Sequence, residues 1–325
     1  MLNQIFSPSL STNSLSVSIF LVLLTVSPLV LSTNAPVIGI LAQEYHSPTF
    51  VKAFPNHHSY IAASYVKHVE DAGARVVPIF IGKNKEYYAE LLSRINGVVL
   101  PGGSAYFNDT DGYADAGRHI LYFADQINKQ GEVFPVMAVC LGFELLLQVF
   151  NKDIDFRKSC RVQNKNCKLK FFPEAKKSSL FAGVPNKEMK KLSKQQLTHN
   201  NHIWCINQDD MEYYNLTASW NILALSKFQT WEFVSIVEHK SYPYVGLQFH
   251  PEKNAYEWDE KQTNPHNHDA IITARIFSDW FIDKARLSNH SFSSQASLYQ
   301  SLIHQYPSSM CWPHHIGFEQ VYLFE

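Results

Sequence analysis

The segment Phe134-Pro-Val-Met-Ala-Val-Cys-Leu-Gly-Phe-Glu144 decides the fold, because an apolar run leads directly into a sharp turn. Within it, Ala138-Val-Cys-Leu-Gly142 has a small residue two positions before Cys140 and another two positions after it. Small residues there let the chain double back between a strand and a helix and expose the residue between them. The pattern is typical of a nucleophile elbow, and a helix N-terminus beside Cys140 would favour its thiolate. The alternative interpretation is a buried structural cysteine at a strand end.

Around this segment, short apolar runs alternate with segments of helical periodicity. The predicted strands cover residues 37–41, 75–80, 97–100, 134–139 and 244–249. The predicted helices cover residues 61–72, 85–95, 113–129 and 270–285. This alternation predicts an α/β protein with a mainly parallel central sheet flanked by helices. Shorter, more polar runs between residues 152 and 240 predict an antiparallel excursion in the middle, and nothing requires a second domain.

The composition indicates a globular chain with almost no net charge. Hydrophobic residues make up 46% of the 325 residues and charged residues 18%, which excludes intrinsic disorder and a collagen-like chain. The 28 Lys and Arg residues face 29 Asp and Glu residues. No strong basic surface is expected, so we predict no nucleic-acid partner.

Two further motifs are predicted to meet Cys140 at one edge of the sheet. Pro101-Gly-Gly103 follows the predicted strand 97–100, and its glycines would let backbone N–H groups approach an oxyanion. His250-Pro-Glu252 follows the predicted strand 244–249, so that His250 could act as a general base that Glu252 orients. Ligands of α/β proteins bind at this carboxyl edge. Taken alone, His250 would more commonly be a loop histidine that faces solvent.

The other histidines form no metal-binding pattern. They occur in pairs at positions 57 and 58, 199 and 202, and 266 and 268, without a compact His-Glu-x-x-His set. We therefore predict no metal ion and interpret most of them as surface residues. His202 is the exception, because Asn200-Asn-His-Ile-Trp204 is placed to enter an active-site mouth.

The first residues are typical of a targeting segment. An apolar run over residues 15–31, densest over 19–26, precedes the small residues at 32–34. This predicts a signal peptide over residues 1–33 and a mature chain with no stable membrane span, the alternative being an uncleaved amino-terminal anchor. The sequons at Asn108, Asn215 and Asn289 would then be glycan acceptors.

The order of the three motifs resembles that of the class I glutamine amidotransferase-like hydrolases, which have a flavodoxin-like fold. Within that group the chain is similar to the γ-glutamyl hydrolase family. The segments that carry this similarity are Tyr60-Ile-Ala-Ala-Ser-Tyr-Val-Lys67, Asp71-Ala-Gly-Ala-Arg-Val-Val-Pro78, Asn96-Gly-Val-Val-Leu-Pro-Gly-Gly-Ser104 and His250-Pro-Glu-Lys253 with Tyr256-Glu-Trp258. The resemblance covers residues 36–325 and is weakest over 153–198. It implies one catalytic domain over residues 34–325.

The resemblance also implies a role for individual residues. Cys140 would be the nucleophile, His250 the general base and acid, and Glu252 the residue that orients the histidine. The remaining implied residues are the backbone oxyanion donors Gly103 and Leu141, and the substrate-binding residues Tyr65, Glu144 and His202. Ala138 departs from the glycine that the family often has before the nucleophile, and a residue this small should preserve the elbow.

The implied reaction is hydrolysis of γ-glutamyl amide bonds in poly-γ-glutamate chains, such as those of folates, through a Cys140 thioester. No cofactor is implied, and a homodimer is suggested by the family alone. The predicted location is extracellular, or the lysosome or vacuole. The anionic substrate would require Arg, Lys or backbone N–H groups in the cleft, which the sequence does not identify.

Three other functions fit parts of the pattern. A glutaminase subunit would use the same motifs, but it would require a synthetase partner and would not need a leader segment. A papain-type protease would have a different sequence around its cysteine. A catalytically silent binding module is disfavoured because the nucleophile, base, orienting residue and oxyanion elements all occur together.

The other four cysteines can pair in three ways. Cys160, Cys167, Cys205 and Cys311 allow up to two disulfides in an oxidising compartment, and Cys160 with Cys167 would close the shortest loop. Buried reduced thiols are the alternative.

Overall fold

The computed structural model describes residues 33–314 and 316–325, so the predicted signal peptide lies outside the described residues except for Thr33. The strands are β1 (Val37–Leu41), β2 (Gln43–Glu44), β3 (Ser59–Ala62), β4 (Arg75–Ile79), β5 (Gly97–Leu100), β6 (Val136–Val139), β7 (Lys158–Cys167), β8 (Lys170–Phe171), β9 (Thr198–Cys205), β10 (Trp220–Phe228), β11 (Trp231–His239), β12 (Tyr244–Leu247), β13 (Ser308–Met310) and β14 (Gln320–Phe324). The helices are α1 (Pro48–Ala53), α2 (Ala63–Asp71), α3 (Lys85–Leu92), α4 (Tyr113–Lys129), α5 (Leu141–Phe150), α6 (Asn186–Lys194), α7 (Gln208–Tyr213), α8 (Lys253–Tyr256), α9 (His268–Ala285) and α10 (Gln295–Ser301). Among these described helices, none has the length and apolarity to cross a membrane.

An eight-stranded sheet forms the centre of the molecule, in the order β4-β1-β5-β6-β12-β11-β10-β8. The first five strands in this order are parallel to one another, and β11, β10 and β8 are antiparallel to their neighbours. The prediction of a mainly parallel sheet with an antiparallel excursion is confirmed. The strand order also brings the ends of β5, β6 and β12 next to one another, because β6 lies between the other two.

Successive residues of the parallel strands pack alternately into two separate hydrophobic cores. In β1, Ile38 and Ile40 pack into the core that includes residues of α2 and α9, whereas Val37 and Leu41 pack into the core that includes residues of α3, α4 and α5. This alternation follows from the two-residue period of a strand. Because both faces are covered by helices, the strands are apolar throughout, as parallel strands usually are.

A second sheet of four strands has the order β13-β14-β3-β2. It contains residues that the sequence predicts to be helical. The predicted helix over residues 61–72 begins only at Ala63, because Ile61 and Ala62 extend β3 and pair with Tyr322 and Val321 of β14. The mixed tail therefore ends in a strand. This antiparallel pairing of distant segments overrides the local helical spacing.

A two-stranded sheet of β7 and β9 carries the disulfide of the described residues, which joins Cys160 to Cys205. The shortest-loop pairing of Cys160 with Cys167 does not form, and Cys140, Cys167 and Cys311 are free, buried thiols. Cys160 and Cys167 lie on the same strand, where seven residues at about 3.3 Å each separate them by roughly 20 Å. A disulfide needs Cα atoms about 4.4–6.8 Å apart, which only a neighbouring strand provides.

Candidate active site

Cys140 sits at the sharp turn between β6 and α5. Its backbone angles are φ 51° and ψ −106°, a left-handed conformation that favours glycine. Its N–H donates to the carbonyl of Leu247 over 2.7 Å, and its own carbonyl accepts from Glu144 over 3.0 Å. A strained residue of this kind persists only where the surroundings hold it, and such residues cluster at functional sites. The predicted elbow is therefore present, with Cys140 at its tip.

His250 and Glu252 follow β12 and are paired. Nδ1 of His250 lies 2.7 Å from Oε1 of Glu252, and both side chains are buried. If Nδ1 carries the proton that Glu252 accepts, Nε2 is the imidazole atom left for another partner. Burial disfavours ionisation of Glu252, but the charge and hydrogen bond of His250, with a further contribution from Lys253, outweigh it and lower the pKa of Glu252. The carboxylate is thus charged and turned towards the imidazole.

Gly102 is the point at which Cys140 and His250 approach each other. A Cβ atom placed on Gly102 would lie 2.6 Å from Cε1 of His250 and 2.9 Å from Cβ of Cys140. The Gly102 N–H donates to the Tyr65 hydroxyl over 2.8 Å, and the Gly102 carbonyl accepts from Nε2 of Gln43 over 2.8 Å. The absence of a side chain at Gly102 therefore lets Cys140 and His250 lie side by side.

Tyr65 contacts both His250 and Gly102. Its hydroxyl is 3.3 Å from Nδ1 of His250 in addition to its bond from Gly102. Tyr65 is 2% exposed and is not one of the residues that line the cleft described next. Burial, followed by the charges of Glu252 and Cys140, raises the pKa of Tyr65 well above its usual value. The tyrosine is therefore a neutral hydroxyl that holds Gly102 and His250.

A cleft of about 760 Å³ opens onto Cys140. The predicted residues that line it together with Cys140 and His250 are Gly103, Leu141, Glu144 and His202. A Cβ on Gly103 would fall 1.5 Å from Oε1 of Gln43, so any larger residue there would require this buried side chain to move. A groove of similar volume, about 780 Å³, lies around Trp220 and Glu238 and contains none of the predicted site residues.

Glu144 is a buried carboxyl in the cleft wall. Its Oε2 accepts from Nη1 of Arg157 over 2.9 Å, and its Oε1 accepts from Nε2 of Gln248 over 3.3 Å. Burial raises the pKa of Glu144 to about 7, although Arg157 acts in the opposite direction. Arg157 also pairs with Asp155 over 2.7 Å, so its guanidinium is shared between two carboxyl groups.

Burial favours the neutral thiol of Cys140 over its thiolate. Burial, then the charges of Glu144 and Glu252, raise its pKa well above the ordinary value, and the N–H of Leu141 lowers it less. The N–H of Leu141, at the start of α5, acts in the expected direction by favouring the thiolate, but burial outweighs it. A neighbouring base must take the proton when the sulfur attacks.

His202 lies in β9 on the opposite wall. Its Nδ1 is 2.8 Å from the carbonyl of Trp204, and burial lowers its pKa to about 3, so the ring is neutral. Nδ1 also lies 3.8 Å from the sulfur atoms of Cys160 and Cys205. These three residues form a cluster with metal-ligand spacing, but both sulfur atoms are engaged in the disulfide. Cys160 therefore has no thiol to act as a nucleophile or thiolate ligand.

A second group of potential ligands contains Glu44, His46 and Asp109. His46 is exposed and already paired with Asp109 over 2.8 Å, and Glu44 accepts from the N–H of Tyr113. Glu44 and Asp109 are half-buried near the surface, and no metal site follows from acidic groups placed in this way.

The three sequon asparagines are exposed. Asn108 lies at the rim of the cleft, whereas Asn215 precedes a short 3-10 turn and Asn289 follows α9. Exposure is a requirement for glycan attachment, which stays a prediction here.

Several residues of the site were missed by sequence reasoning. Gly102 was predicted, with Gly103, to bring backbone N–H groups to an oxyanion, but its close approach to Cys140 and His250 was not predicted. Gln43 carried no signal, and Arg157 lies in the segment of weakest resemblance. Lys253 lines the cleft and directly follows Glu252, so its place in the motif was the available signal.

The chain is similar to known proteins over most of its length. The model of the family described as Peptidase C26 matches residues 36–252. The chain is 34% identical over 313 residues to γ-glutamyl hydrolase B of Dictyostelium discoideum, covering 94% of this chain and 89% of that protein. It is 34% identical over 298 residues to γ-glutamyl hydrolase of Rattus norvegicus, covering 90% of each, and 33% identical over 296 residues to that of Homo sapiens, covering 90% of this chain and 91% of the human protein.

Proposed function

On the premise that the chain belongs to the peptidase C26 family and is a cysteine-type hydrolase of γ-glutamyl bonds, we propose that Cys140, His250 and Glu252 are its catalytic residues. The observation that carries this proposal is the contact of both Cys140 and His250 with one point beside Gly102, while Glu252 holds the far side of the imidazole. Both groups also line the same cleft.

The first half of the reaction forms a thioester. Nε2 of His250 takes the thiol proton as Sγ of Cys140 attacks the γ-carbonyl carbon, and Glu252 stabilises the imidazolium without accepting its proton. The N–H groups of Gly103 and Leu141 stabilise the oxyanion of the tetrahedral intermediate. The imidazolium then protonates the leaving amine as the carbon–nitrogen bond breaks.

The second half releases the acyl group. His250 removes a proton from a water molecule that attacks the thioester carbon, and the oxyanion again lies against Gly103 and Leu141. Collapse of the intermediate expels the Cys140 sulfur, which recovers the proton from His250. The products are the amine released in the first half, a γ-carboxylic acid that gives up its proton to solvent, and the resting thiol, so atoms and charges balance with water as the only added reactant.

The proposed substrate is a poly-γ-glutamate chain such as that of folates. The names of the relatives support the γ-glutamyl bond, and the resemblance noted above supports the folate chain. Tyr106 and Trp204 line the cleft and are 56% and 41% exposed, so each offers a flat apolar face to an aromatic group. Glu144 and His202 are the proposed polar contacts.

The proposed setting is the secretory route, with residues 1–33 as a signal peptide and residues 34–325 as the catalytic domain. The disulfide between Cys160 and Cys205 supports an oxidising compartment. Exposed Asn108, Asn215 and Asn289 are the proposed glycan sites, and the destination is the exterior, the lysosome or the vacuole. A homodimer stays a prediction from the family.

Incubation with a folate polyglutamate and, separately, with glutamine tests the proposed function. Released glutamate or γ-glutamyl peptides would support it. Preferential release of ammonia from glutamine would instead assign the chain to the glutaminase class, and no product from either would favour a silent binding module.

A further inference from the structure

A second groove, outside the catalytic cleft, is lined by lysines and is called the lysine groove below. It has a volume of about 640 Å³ and is formed by residues of β7, β8, α6, β10 and β11 and the segments between them. Its charged residues are Lys168, Lys170, Lys190, Lys227 and Glu232. The groove is thus strongly cationic, although the chain as a whole has a net charge of −1.

Most of this positive charge is not neutralised by the protein itself. Glu232 pairs with Lys170 over 2.9 Å. Lys168, Lys190 and Lys227 are exposed, and no carboxylate oxygen in the described part of the chain lies within 4.0 Å of their ammonium groups. Several unpaired cations in one groove favour a ligand that carries several negative charges.

Between these charges the lysine groove is lined by apolar side chains. Leu169 is buried, and Phe171 and Met189 are half-buried against the core. A ligand that fits this lining presents apolar groups as well as separate anionic groups. A poly-γ-glutamate chain has this composition, because each unit contributes two methylene groups, an amide and one α-carboxylate.

Strand β7 connects the lysine groove to the catalytic cleft. Gln163 lines the cleft and Cys167 lines the groove, and four residues of strand separate them by at most about 14 Å. Lys165 is exposed between them, with its Nζ 6.0 Å from the ring centroid of Phe228, which directly follows Lys227. Cationic side chains therefore continue from the cleft wall to the groove.

We infer that the lysine groove binds the glutamyl units of a poly-γ-glutamate chain that lie far from the scissile bond. Each unit adds five bonds to the main chain, roughly 6 Å when extended, so two to three units cover the distance along β7. The groove thus gives the enzyme a preference for long chains. This inference rests on the proposed function of the cleft.

Steady-state kinetics with a folate diglutamate and a folate octaglutamate test the inference. The triple variant Lys165→Gln, Lys168→Gln, Lys227→Gln should lower kcat/KM for the octaglutamate by about threefold to thirtyfold, mainly through KM, because three exposed ion pairs are lost. The diglutamate is too short to reach the groove, so its kcat/KM should stay unchanged. An equal loss on both substrates, or no loss on either, would overturn the inference.

The triple variant Lys83→Gln, Lys85→Gln, Lys152→Gln is the matched control. These three lysines are exposed and line neither the cleft nor the lysine groove, so the control removes the same net charge elsewhere. It should keep the wild-type kcat/KM for both substrates. If the control lost as much activity on the octaglutamate as the groove variant, the net charge rather than the groove would attract the chain, and the inference would fail.

Salt provides a readout that a merely structural effect of the substitutions would not move. Salt screens exposed charges, so an increase from about 0.02 to 0.5 M should reduce the selectivity of wild-type protein for the octaglutamate over the diglutamate. The selectivity of the groove variant should change little. A wild-type selectivity that is independent of salt would contradict binding by the lysines.

An anionic lipid surface is the competing occupant, since it also presents several negative charges. Sedimentation with phosphatidylserine vesicles distinguishes the two. Vesicle binding that is lost in the groove variant, together with wild-type octaglutamate kinetics in that variant, would assign the groove to a membrane and overturn the inference.

Direct binding separates this inference from the proposed function. If wild-type protein cleaves neither folate, the proposed function of the cleft fails. The affinity of intact octaglutamate for Cys140→Ala, measured with and without the three groove substitutions, still decides the role of the lysines. A lower affinity with the substitutions would support that role, and equal affinities would overturn it.

Discussion

Nδ1 of His250 lies 2.7 Å from Oε1 of Glu252, so the imidazole is oriented before any substrate binds. The second oxygen of this carboxylate, Oε2, is buried and has no hydrogen-bond partner in the described structure. The carboxylate is thus committed to the histidine. Its charge, as well as its position, should matter for turnover.

Glu252→Gln should lower kcat by roughly 10²- to 10⁴-fold, the range seen when an orienting carboxylate becomes an amide. The amide keeps the shape of the side chain, but its NH₂ group can face Nδ1 and favour the wrong tautomer of His250. Steady-state kinetics with a γ-glutamyl substrate measure the effect. Wild-type kcat in this variant would contradict an orienting role.

Cys140→Ala should reduce turnover by at least about a thousandfold, because no thioester can form. The fold should survive, since alanine and cysteine meet the same backbone strain at this position. Cys167→Ala is the control, because Cys167 is a free buried thiol outside the cleft. Loss of activity in the Cys167 variant alone would move the nucleophile to that residue.

Gly102→Ala should misalign the base and the nucleophile. The new Cβ would lie within 3.0 Å of Cε1 of His250 and Cβ of Cys140, and a displacement near 1 Å can cost about a hundredfold in kcat. Gly183→Ala is the matched control, because nothing lies within 4 Å of its new Cβ. Equal kcat values for both variants would rule out the close approach at Gly102.

Tyr65→Phe should lower kcat while leaving KM nearly unchanged. The lost hydroxyl leaves the buried N–H of Gly102 without its acceptor, which costs about 1–3 kcal/mol of stability. Urea denaturation and separate kcat and KM values measure both effects. A rise in KM alone would instead support the substrate-binding role that the family resemblance implies.

The unfolding free energy of the Glu257→Gln variant should increase relative to that of wild-type protein as the pH rises. Burial raises the pKa of Glu257 to about 7, against 4.5 for an ordinary glutamate, with Lys253 opposing. The folded state therefore binds a proton that the unfolded chain releases between pH 4.5 and 7, and this stabilising contribution of Glu257 is lost as the pH rises through that window. The difference in unfolding free energy should shift towards the variant by up to about 3 kcal/mol.

The informative quantity is the difference in unfolding free energy between the Glu257→Gln variant and wild-type protein. Stability alone is less informative, because other titratable groups change it with pH in the opposite direction. Burial lowers the pKa of His199 to about 2 and that of His202 to about 3. Both rings stay neutral in the folded protein, whereas in the unfolded chain they take up a proton below the ordinary histidine pKa of 6.5. The stability of the folded state therefore falls as the pH falls below 6.5. Urea denaturation of both proteins at pH 5 and pH 8 measures the shift, and a difference that is independent of pH would contradict the prediction.

The sequence best predicted those features that depend on residues close to one another along the chain. Helix α4 spans residues 113–129 as predicted, because its buried residues recur at helical spacing along one continuous segment. The elbow at Cys140 was readable for the same reason, since its small neighbours lie within five residues. Both features depend on the conformation of a short stretch rather than on distant partners.

Features that depend on pairing between segments far apart in the chain could not be predicted from the sequence. Ile61 fits a helical period, yet its pairing with Tyr322 makes it part of a strand. The partner of Cys160 was decided by the register of β7 against β9, which no spacing along the chain reveals. Tyr65 was predicted as a substrate-binding residue from the family resemblance alone, and its contact with Gly102 depends on distant segments that the fold brings together.

The backbone of Cys140 has a consequence for the design of stable variants. At φ 51° and ψ −106°, every residue except glycine is strained, typically by about 1–3 kcal/mol. A search for thermostable forms would therefore tend to select glycine at position 140 and discard the sulfur with it. Screening that measures survival of heat alone would enrich inactive protein, and only a screen that also requires turnover would retain the cysteine.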